Sequence, residues 1–340
     1  MALNHKQLLA LMKATIKADS SKPVSYSVGG QELTYEGLNA TLRKELNELA
    51  GTYSLYRRNQ LEIFELMEET LDEVLPKKVM EQYGQFAVVK TFAQGDQPVF
   101  KEKLGRTRAK QFITKVGLAG VYETFKLGTS SFTVETAAIG GAAQIGLEEF
   151  LDGRVDFSEL TEILLDGLDE AVYTAIAESL IASIAQLPAA NKKAEAFDAD
   201  NFDAQLDVVS AYGAPAIFCT LEFARTNLQP VAANASDRMK DLMYDNGIMP
   251  YYKGSVPIVI LPQSWTDETN TTKVIDPSYA WIFPTGADRK PVRVAFEGNT
   301  IVQEYKNRDS SREIQIYKKF GVATIATNDI CSYRDSSLIA

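Results

Sequence analysis

One run of residues, DFSELTEILLDGLDEAVYTAIAESLIASIAQLP, places the strongest constraint on the fold. Apolar residues recur along it at every fourth position: Leu160, Leu164, Leu168, Val172, Ile176, Leu180 and Ile184. That spacing keeps them on one side of an α-helix. Asp156 or Ser158 can cap the start of the helix, and Pro188 ends it. The pattern predicts a spine helix over residues 156–187, about 45 Å long at roughly 1.5 Å per residue.

The 84 residues at the start of the chain carry shorter helical patterns. LLALMKATIKA, TYEGLNATLRKELNELAG and RRNQLEIFELMEETLDEVL each place apolar residues at helical spacing. We expect the second helix to begin after Thr34 and end at Gly51, and the third to end at Pro76. Because the helices are short and joined by polar links, residues 1–84 are predicted to form a helical arm laid on another surface.

Residues 85–135 change to the pattern of β-strands. FAVVKTF, QFITKVGLAGVYETFKL and SSFTVET cluster β-branched and aromatic residues between glycines. Together they predict one extended β-hairpin. An isolated hairpin is marginally stable in water, so a long one has to pack on another surface, in this chain or in a neighbouring one.

The remaining segments complete an α+β pattern. TAAIGGAAQIGLEEFLDGRVD, before the spine helix, is expected to be a loop with short helical character. FDADNFDAQLDVVSAYGAPAIFCTLEFARTNLQ predicts a helix, a strand and a short helix, and NGIMPYYKGSVPIVILPQSW predicts a strand pair. Residues 291–340 are rich in strands. No internal repeat is present, so a repeat architecture is excluded.

One stretch has a charge opposite to that of the whole chain. The protein carries a formal net charge of -10, which argues against binding nucleic acid through a basic face. Residues 94–115 nevertheless hold six cations against Asp96 and Glu102. The cations are Lys101, Lys103, Arg106, Arg108, Lys110 and Lys115. With few large apolar residues, this basic stretch cannot build much core of its own.

Motifs for catalysis or for a cofactor are missing from the sequence. The single histidine, His5, excludes a histidine-dependent triad or a histidine-rich metal site. GGAAQIG lacks the spacing of a phosphate loop. The acidic run at Asp198 has Asp203 where a calcium loop requires glycine, so we expect its acids to cap a helix. Cys219 is expected to be a buried, inert thiol. No catalytic, cofactor-binding or metal-binding residue is predicted.

Targeting signals are also missing. No apolar run is long enough to span a membrane, and the amphipathic N-terminus lacks the features of a signal peptide. We therefore expect a protein of the reducing cytoplasm. The dense carboxylates around the start of the spine helix are interpreted as its solvated face, or as a partner for the basic stretch of a neighbouring molecule.

The order of these elements resembles the major capsid proteins of tailed bacteriophages, the Hong Kong 97-like fold that encapsulin shells share. In that scheme the chain divides into an N-terminal helical arm (1–84), an extended loop (85–135), a peripheral domain with the spine helix (136–195), an axial domain (196–290) and closing strands that rejoin the peripheral domain (291–340). The resemblance covers nearly the whole chain, but it is one of architecture and not of a strict motif.

The resemblance implies a structural protein and not an enzyme. Such a chain assembles with itself, as hexamers and pentamers, into an icosahedral phage head around double-stranded DNA, first in the host cytoplasm and finally as the virion capsid. Portal, scaffolding or decoration proteins are expected partners, and no cofactor or membrane is expected. An encapsulin-like compartment is the near alternative, and a soluble α+β enzyme or binding protein is a more distant one.

The resemblance also explains the basic stretch. A basic hairpin with little core is reasonable if it lies across an acidic neighbouring subunit, where charge complementarity sets the register and apolar burial supplies most of the stability. The predicted contact residues are Lys101, Lys103, Arg106, Arg108 and Lys110. The negative charge of the chain also suits a container whose inner wall repels packaged DNA.

Overall fold

The computed structural model describes residues 4–17, 27–28, 31–32, 35–102, 130–145, 157–229, 250–253, 255–267, 269–286, 290–306 and 312–338. Its helices are α1 (His5–Lys17), α2 (Tyr35–Ala50), α3 (Tyr53–Tyr83), α4 (Phe157–Ile184) and α5 (Ala199–Ser210), with short helical turns at Ala189–Asn191, Leu221–Phe223 and Ala224–Leu228. Its strands are β1 (Ser27–Val28), β2 (Gln31–Glu32), β3 (Ala87–Phe92), β4 (Val99–Glu102), β5 (Ser130–Thr133), β6 (Ala137–Ile145), β7 (Lys192–Glu195), β8 (Ala214–Cys219), β9 (Tyr251–Tyr252), β10 (Val256–Ile260), β11 (Tyr279–Thr285), β12 (Val292–Lys306), β13 (Arg312–Thr324) and β14 (Cys331–Asp335).

Most of these strands belong to two sheets. A four-stranded sheet has the order β3-β12-β13-β6, and a six-stranded sheet has the order β7-β14-β11-β8-β10-β9. Within the described chain, β4 and β5 pair only with each other, as do β1 and β2. Helices and sheets are therefore mixed, and the predicted α+β fold is confirmed.

The main hydrophobic core lies between the helices and the four-stranded sheet. Leu42 of α2, Leu71 of α3, Val172 of α4 and Phe296 of β12 all belong to it, with exposures of 0–1%. It continues to one face of the six-stranded sheet, through Phe218 and other residues. A second core on the opposite face of that sheet packs against α5; it includes Phe202, Val209, Ile217, Cys219 and Tyr333.

The spine helix forms where the leucine spacing predicts it. Helix α4 spans Phe157–Ile184, and its Leu168, Val172, Ile176 and Leu180 are buried. Each fully buried side chain of this size stabilises the fold by about 1.5–3 kcal/mol relative to an exposed one. The helix packs over the four-stranded sheet and against α3, so it is the axis of the main core.

Helix α3 does not end at Pro76, as the sequence analysis expected. It continues to Tyr83 with Pro76 inside it. A proline inside a helix removes one hydrogen bond and costs about 3 kcal/mol. Burial of Val79 and Tyr83 at 0% and 3% exposure offsets that cost, and the Tyr83 ring stacks on Tyr173 of α4 with centroids 5.1 Å apart.

The N-terminal helices are also more than an arm laid on another surface. Leu11 of α1, Leu38 and Leu42 of α2 and Leu66 of α3 are buried within the same core as α4. Helix α3 then binds β12 through carboxylates. Asp72 Oδ1 accepts hydrogen bonds from the Thr300 N–H at 2.8 Å and the Thr300 hydroxyl at 2.6 Å. The buried ammonium of Lys318 also donates a hydrogen bond to Asp72 Oδ1.

The segment AAIGGAAQI is a strand, not the expected loop. Residues 137–145 form β6, which pairs antiparallel with β13 from Ala137–Phe320 to Ile145–Arg312. The local composition of small residues gave no strand signal, and tertiary pairing overrides it. A Cβ added at Gly140 would lie 2.4 Å from the Ile316 carbonyl oxygen and 2.9 Å from Tyr317 Cβ. The strand therefore requires glycine at this point.

The last strand belongs to a different sheet from the two long strands that precede it. Of the strands in residues 291–340, β12 and β13 belong to the four-stranded sheet, but β14 lies between β7 and β11 of the six-stranded sheet. Strand β7, expected with the spine helix, lies there too. Tyr333 explains the position of β14, because its ring is fully buried in the second core and its hydroxyl donates to the Ala196 carbonyl at 3.0 Å.

A charged cluster joins α3 to α4. Lys78 Nζ lies 2.6 Å from Asp166 Oδ1 and 3.5 Å from Asp169 Oδ2. Burial opposes the charge of Lys78, but the hydrogen bond to Asp166 and the charge of Asp169 outweigh it and raise the pKa of Lys78. Burial raises the pKa of Asp169, because the more distant Lys78 offsets the desolvation only in part. Asp166 is thus the main partner of Lys78, and Asp169 is the carboxylate whose charged form burial destabilises.

We predict that Gly140→Ala destabilises the subunit by about 1–3 kcal/mol, because its Cβ would meet fixed backbone. Gly167→Ala is the matched control, since Gly167 lies in α4 with nothing within 4 Å of the added Cβ; it should stabilise by up to about 1 kcal/mol. Urea unfolding of the two variants measures both effects. Equal stability of the two would show that β6 shifts to accommodate the methyl group.

We predict that Asp169→Asn raises the unfolding temperature at neutral pH. The pKa of the folded Asp169 carboxyl is raised, so folding is favoured when this group is protonated, and that stability is lost as pH rises through the folded pKa. Asparagine resembles the protonated form, so the gain should disappear below the ordinary aspartate pKa of about 3.9.

Asp166→Asn is the control for this variant. It removes the nearer partner of Lys78 from an exposed position, so stability should fall, by less than about 1 kcal/mol. Thermal unfolding followed by circular dichroism across pH 3.5–7.5 compares the two. A lower unfolding temperature for Asp169→Asn at neutral pH would contradict the assignment of Asp169 as the carboxylate whose charged form burial destabilises.

Candidate assembly surfaces

The root of the predicted hairpin is packed onto the four-stranded sheet. Strands β4 and β5 pair antiparallel from Val99–Thr133 to Glu102–Ser130. Phe100 is 2% exposed and meets the Phe92 ring edge-on, with centroids 5.7 Å apart. Val134 and Ala295 complete this small core. The hairpin therefore leaves from a fixed base that belongs to the subunit.

Two glycines let the root approach the sheet closely. A Cβ at Gly321 of β13 would lie 2.1 Å from the Glu135 carbonyl oxygen. Gly298 of β12 has φ +66°, and a Cβ there would lie 3.2 Å from Gln94 Cβ. The backbone of these two glycines thus contacts both chains of the root: Gly298 contacts Gln94 on the outgoing chain, and Gly321 contacts Glu135 on the returning chain.

A carboxylate connects the same two chains. Glu297 Oε1 accepts the N–H of Gly95 at 3.1 Å, and Glu297 Oε2 accepts the hydroxyl of Thr136. Lys319 Nζ lies 3.8 Å from Glu297 Oε1. The hydrogen bonds from Thr136 and Gly95 hold the pKa of Glu297 below its ordinary value. The sequence analysis did not single out Glu297, because its partners come from segments far apart in the chain.

Of the predicted contact residues, only the backbone of Lys101 falls within the described chain. It lies in β4 opposite Ser131. Lys103, Arg106, Arg108 and Lys110 lie outside the described residues, as does most of the predicted hairpin. Because Phe100 is buried in the root, the strand that carries Lys101 starts from a base that is packed on its own subunit.

The carboxylates of the spine helix divide between solvent and internal contacts. Glu162 and Glu178 are exposed on α4. Asp166 and Asp169 instead bind Lys78 of α3, and Glu170 accepts a hydrogen bond from the Ser264 hydroxyl. The described part of this acidic run thus holds α4 to α3 and to the loop after β10, in addition to facing solvent.

An uncharged face lies on the side of the four-stranded sheet away from α4. Cross-strand pairing places Ile301, Tyr317 and Gly140 in one row, and Gln303, Gln315 and Ala142 in the next. Tyr317 is 37% exposed and Tyr305, beside Gln303, is 48% exposed. We call these seven residues the open face. They lack a formal charge; Glu313 lies at one end, and Glu297 with Lys319 lies at the other.

The open face continues the surface that holds the hairpin root. Along β13, residues 313, 315, 317, 319, 321 and 323 share one side of the sheet, since side chains alternate. The root covers the half near Gly321 and Ala323, and the half near Tyr317 and Gln315 is exposed or half-buried. The alternation in REIQIYKKF is the sequence signal for this face, because Ile314 and Ile316 point to the core.

Reactive groups in the described chain do not form an active site. Cys219 is buried as expected, and burial raises the pKa of its thiol; burial also raises the pKa of Cys331 to about 12. His5 lies 3.4 Å from Glu69. Asp198 caps α5, as expected. An open groove of about 360 Å³ between α3 and β3 is lined by Pro76, Lys77, Met80, Val89, Lys90 and Thr91, a set without an acid–base pair.

Two further searches of the described residues were negative. They contain no group of three or more histidine, cysteine, aspartate or glutamate side chains arranged to hold a metal ion. None of the helices in the described ranges is long and apolar enough to cross a membrane.

Chains of two solved capsid structures have a similar fold. A chain of the satellite phage P4 procapsid matches with a TM-score of 0.51 and 10% identity, over 78% of this chain and 90% of that one. A chain of the capsid of a native GTA particle matches with a TM-score of 0.51 and 14% identity, over 74% and 89%. The SrpI encapsulin of Synechococcus elongatus PCC 7942 matches with a TM-score of 0.43 and 10% identity, over 73% and 84%.

Sequence comparison identifies the family. No curated protein matches the chain, but a family model does, over residues 7–333, and its description is "SPbeta prophage-derived putative capsid protein YonB". The resemblance to phage major capsid proteins is therefore confirmed. The chain belongs to this prophage capsid protein family, and it is a structural major capsid protein of the Hong Kong 97-like fold.

Proposed function

We propose that this capsid protein forms the hexamers and pentamers of a closed icosahedral head, in which the hairpin of each copy lies over the open face of the next. The observation that carries the proposal is the sheet surface shared by the hairpin root and the open face. The half near Gly321 and Ala323 receives the chain's own root. The half near Tyr317 is exposed or half-buried, and its Gly140 and Ala142 are as small as the residues that receive the root.

The composition of the open face supports a protein occupant. It offers Tyr305 and Tyr317 as apolar rings with a polar end, and tyrosine is enriched at protein interfaces. Gln303 and Gln315 supply amide donors and acceptors. Gly140 and Ala142 leave room above β6 for an extended chain to approach. A face of this kind binds by shape and hydrogen bonding, with little charge of its own.

The basic residues of the hairpin have a separate role in this proposal. Lys101, Lys103, Arg106, Arg108 and Lys110 contact carboxylates of the neighbouring copy, starting with Glu313 at the end of its open face. Charge contacts of this kind speed encounter and fix register more than they add affinity. Apolar and shape contacts on the open face provide the rest, and many weak contacts repeated around a shell give a stable particle.

The two sheets suggest a division into domains. We assign the four-stranded sheet with α1–α4 to the peripheral domain, and the six-stranded sheet with α5 to the axial domain around the symmetry axes. Strands β7 and β14 then belong to the axial domain, which moves its boundaries from residues 196–290 to include 192–195 and 331–335.

The proposed contents and surroundings follow from a structural role without catalysis. The head encloses double-stranded DNA without reading its sequence, and the acidic charge of the chain keeps the inner wall from gripping it. Assembly takes place in the host cytoplasm, with portal, scaffolding or decoration proteins as further partners. Electron microscopy and sedimentation of the chain, expressed alone and beside its genomic neighbours, test the proposal. A monomer under both conditions would contradict it.

We predict that Tyr317→Arg abolishes closed particles and leaves the subunit folded, because a guanidinium on the open face would be buried without a partner under the neighbour's hairpin. Tyr317→Phe keeps the ring and is the matched control, expected to assemble. Sedimentation velocity and circular dichroism measure both properties. Normal shells from Tyr317→Arg would show that the open face stays uncovered in the particle.

We predict that reversal of Arg106 and Arg108 to glutamate slows assembly most strongly at low salt. Between about 0.01 M and 1 M salt the screening length falls from roughly 30 Å to 3 Å. Light scattering during assembly measures the rate at several salt concentrations. Replacement of both arginines by glutamine is the control and should give a weaker effect. Rates unaffected by either change would mean that these two residues face solvent in the shell.

A further inference from the structure

Glu297 occupies the point where the hairpin and the sheet separate. It is the last residue of β12 that pairs with β3, opposite Phe92, and the register between β12 and β13 shifts directly after it. Its side chain is 10% exposed. Gly95 lies between β3 and β4, and Thr136 lies between β5 and β6. One carboxylate thus contacts the outgoing and the returning chain of the hairpin.

The two contacts use different oxygens. The Gly95 N–H donates to Oε1, and the Thr136 hydroxyl donates to Oε2. The ammonium of Lys319 approaches Oε1 from the neighbouring strand, where Lys319 is the register partner of Glu297. Hydrogen bonds to a charged acceptor are about twice as strong as neutral ones. The depressed pKa keeps this acceptor ionised at neutral and mildly acidic pH.

The backbone around this carboxylate leaves little room for another arrangement. A side chain at Gly321 would clash with the Glu135 carbonyl oxygen, and one at Gly298 would be strained by the positive φ and would press on Gln94. Phe100 and Val134 fill the space beneath. Gly95 and Thr136 directly follow Gln94 and Glu135 in the chain, so a tilt of the root would have to open the bonds from Gly95 and Thr136 to Glu297.

We infer that Glu297 is a latch that fixes the angle at which the hairpin leaves its subunit, and through that angle the curvature of the assembled shell. The inference rests on the proposed function, in which the hairpin lies on the next copy. If residues 103–129 extend the hairpin as the sequence predicts, about 13 residues per strand reach roughly 40 Å. A tilt of about 10° at the root then moves the tip by roughly 7 Å, more than the spacing between two strands.

Three variants isolate the latch. Glu297→Gln keeps the shape, removes the charge, and leaves only one oxygen to accept. Thr136→Val keeps the shape and removes one donor. Glu304→Gln is the control: it makes the same change on the same strand, at a carboxylate that binds Tyr56 and Gln60 of α3.

The first measurement uses unassembled subunits and does not depend on shell formation. We expect Glu297→Gln to increase hydrogen exchange of the amides at residues 94–96 by about tenfold, the scale of one lost hydrogen bond to a charged group. Thr136→Val alone should have a smaller effect, and it should add little on top of Glu297→Gln because both changes act on the same carboxylate. Unchanged exchange in Glu297→Gln would overturn the latch.

The second measurement is the diameter distribution of assembled particles by electron microscopy. We expect Glu297→Gln to broaden it or to produce open sheets, whereas wild type and Glu304→Gln give one size. Faster exchange with an unchanged diameter distribution would overturn the link between root angle and curvature. Failure of wild type to assemble would count against the proposed function itself, and the exchange result would still decide whether Glu297 holds the root.

Discussion

The pairing of β12 with β13, and the register shift that interrupts it between Glu297 and Ile301, is the constraint on which the rest of the subunit depends. Before the shift, β12 also pairs with β3, and the common face holds the hairpin root. At the shift, backbone groups that leave the ladder are taken up by α3, through Asp72 to Thr300. After the shift, the same strands present the open face.

Bulges reorient a strand and end its pairing on one side. Here the register shift lies between two sets of contacts that hold other elements to the sheet. The carboxylates Glu68 and Asp72 hold α3 to β12, with Glu68 accepting the Val302 N–H at 2.7 Å, so the helical N-terminal region and the sheet behave as one body. Glu297, on the other side of the sheet, holds the hairpin root to the same body. Attachment on both sides of the sheet holds the hairpin root in a fixed position relative to the main core.

The sequence predicted the parts of the fold that have a strong period of their own. The spacing from Leu160 to Ile184 predicted α4, and Thr34 and Gly51 delimited α2 closely. The prediction was wrong where long-range packing decides. Pro76 lies inside α3 because Val79 and Tyr83 are buried beyond it, and β6 is a strand because β13 supplies its partner. Glu297 gave no local signal either, since Gly95 and Thr136 meet it only in the folded chain. The basic residues beyond Glu102 remain a prediction.

The place of β14 has a consequence for the synthesis of the subunit. This strand completes the six-stranded sheet between β7 and β11, so a growing chain exposes the edges of both until residues 331–335 leave the ribosome. Tyr333 then fills the second core and bonds to the backbone at Ala196 and Asp198. An incomplete chain lacks this closure, whatever the state of its hairpin. The order of translation therefore withholds a finished six-stranded sheet from any product that ends before residue 331.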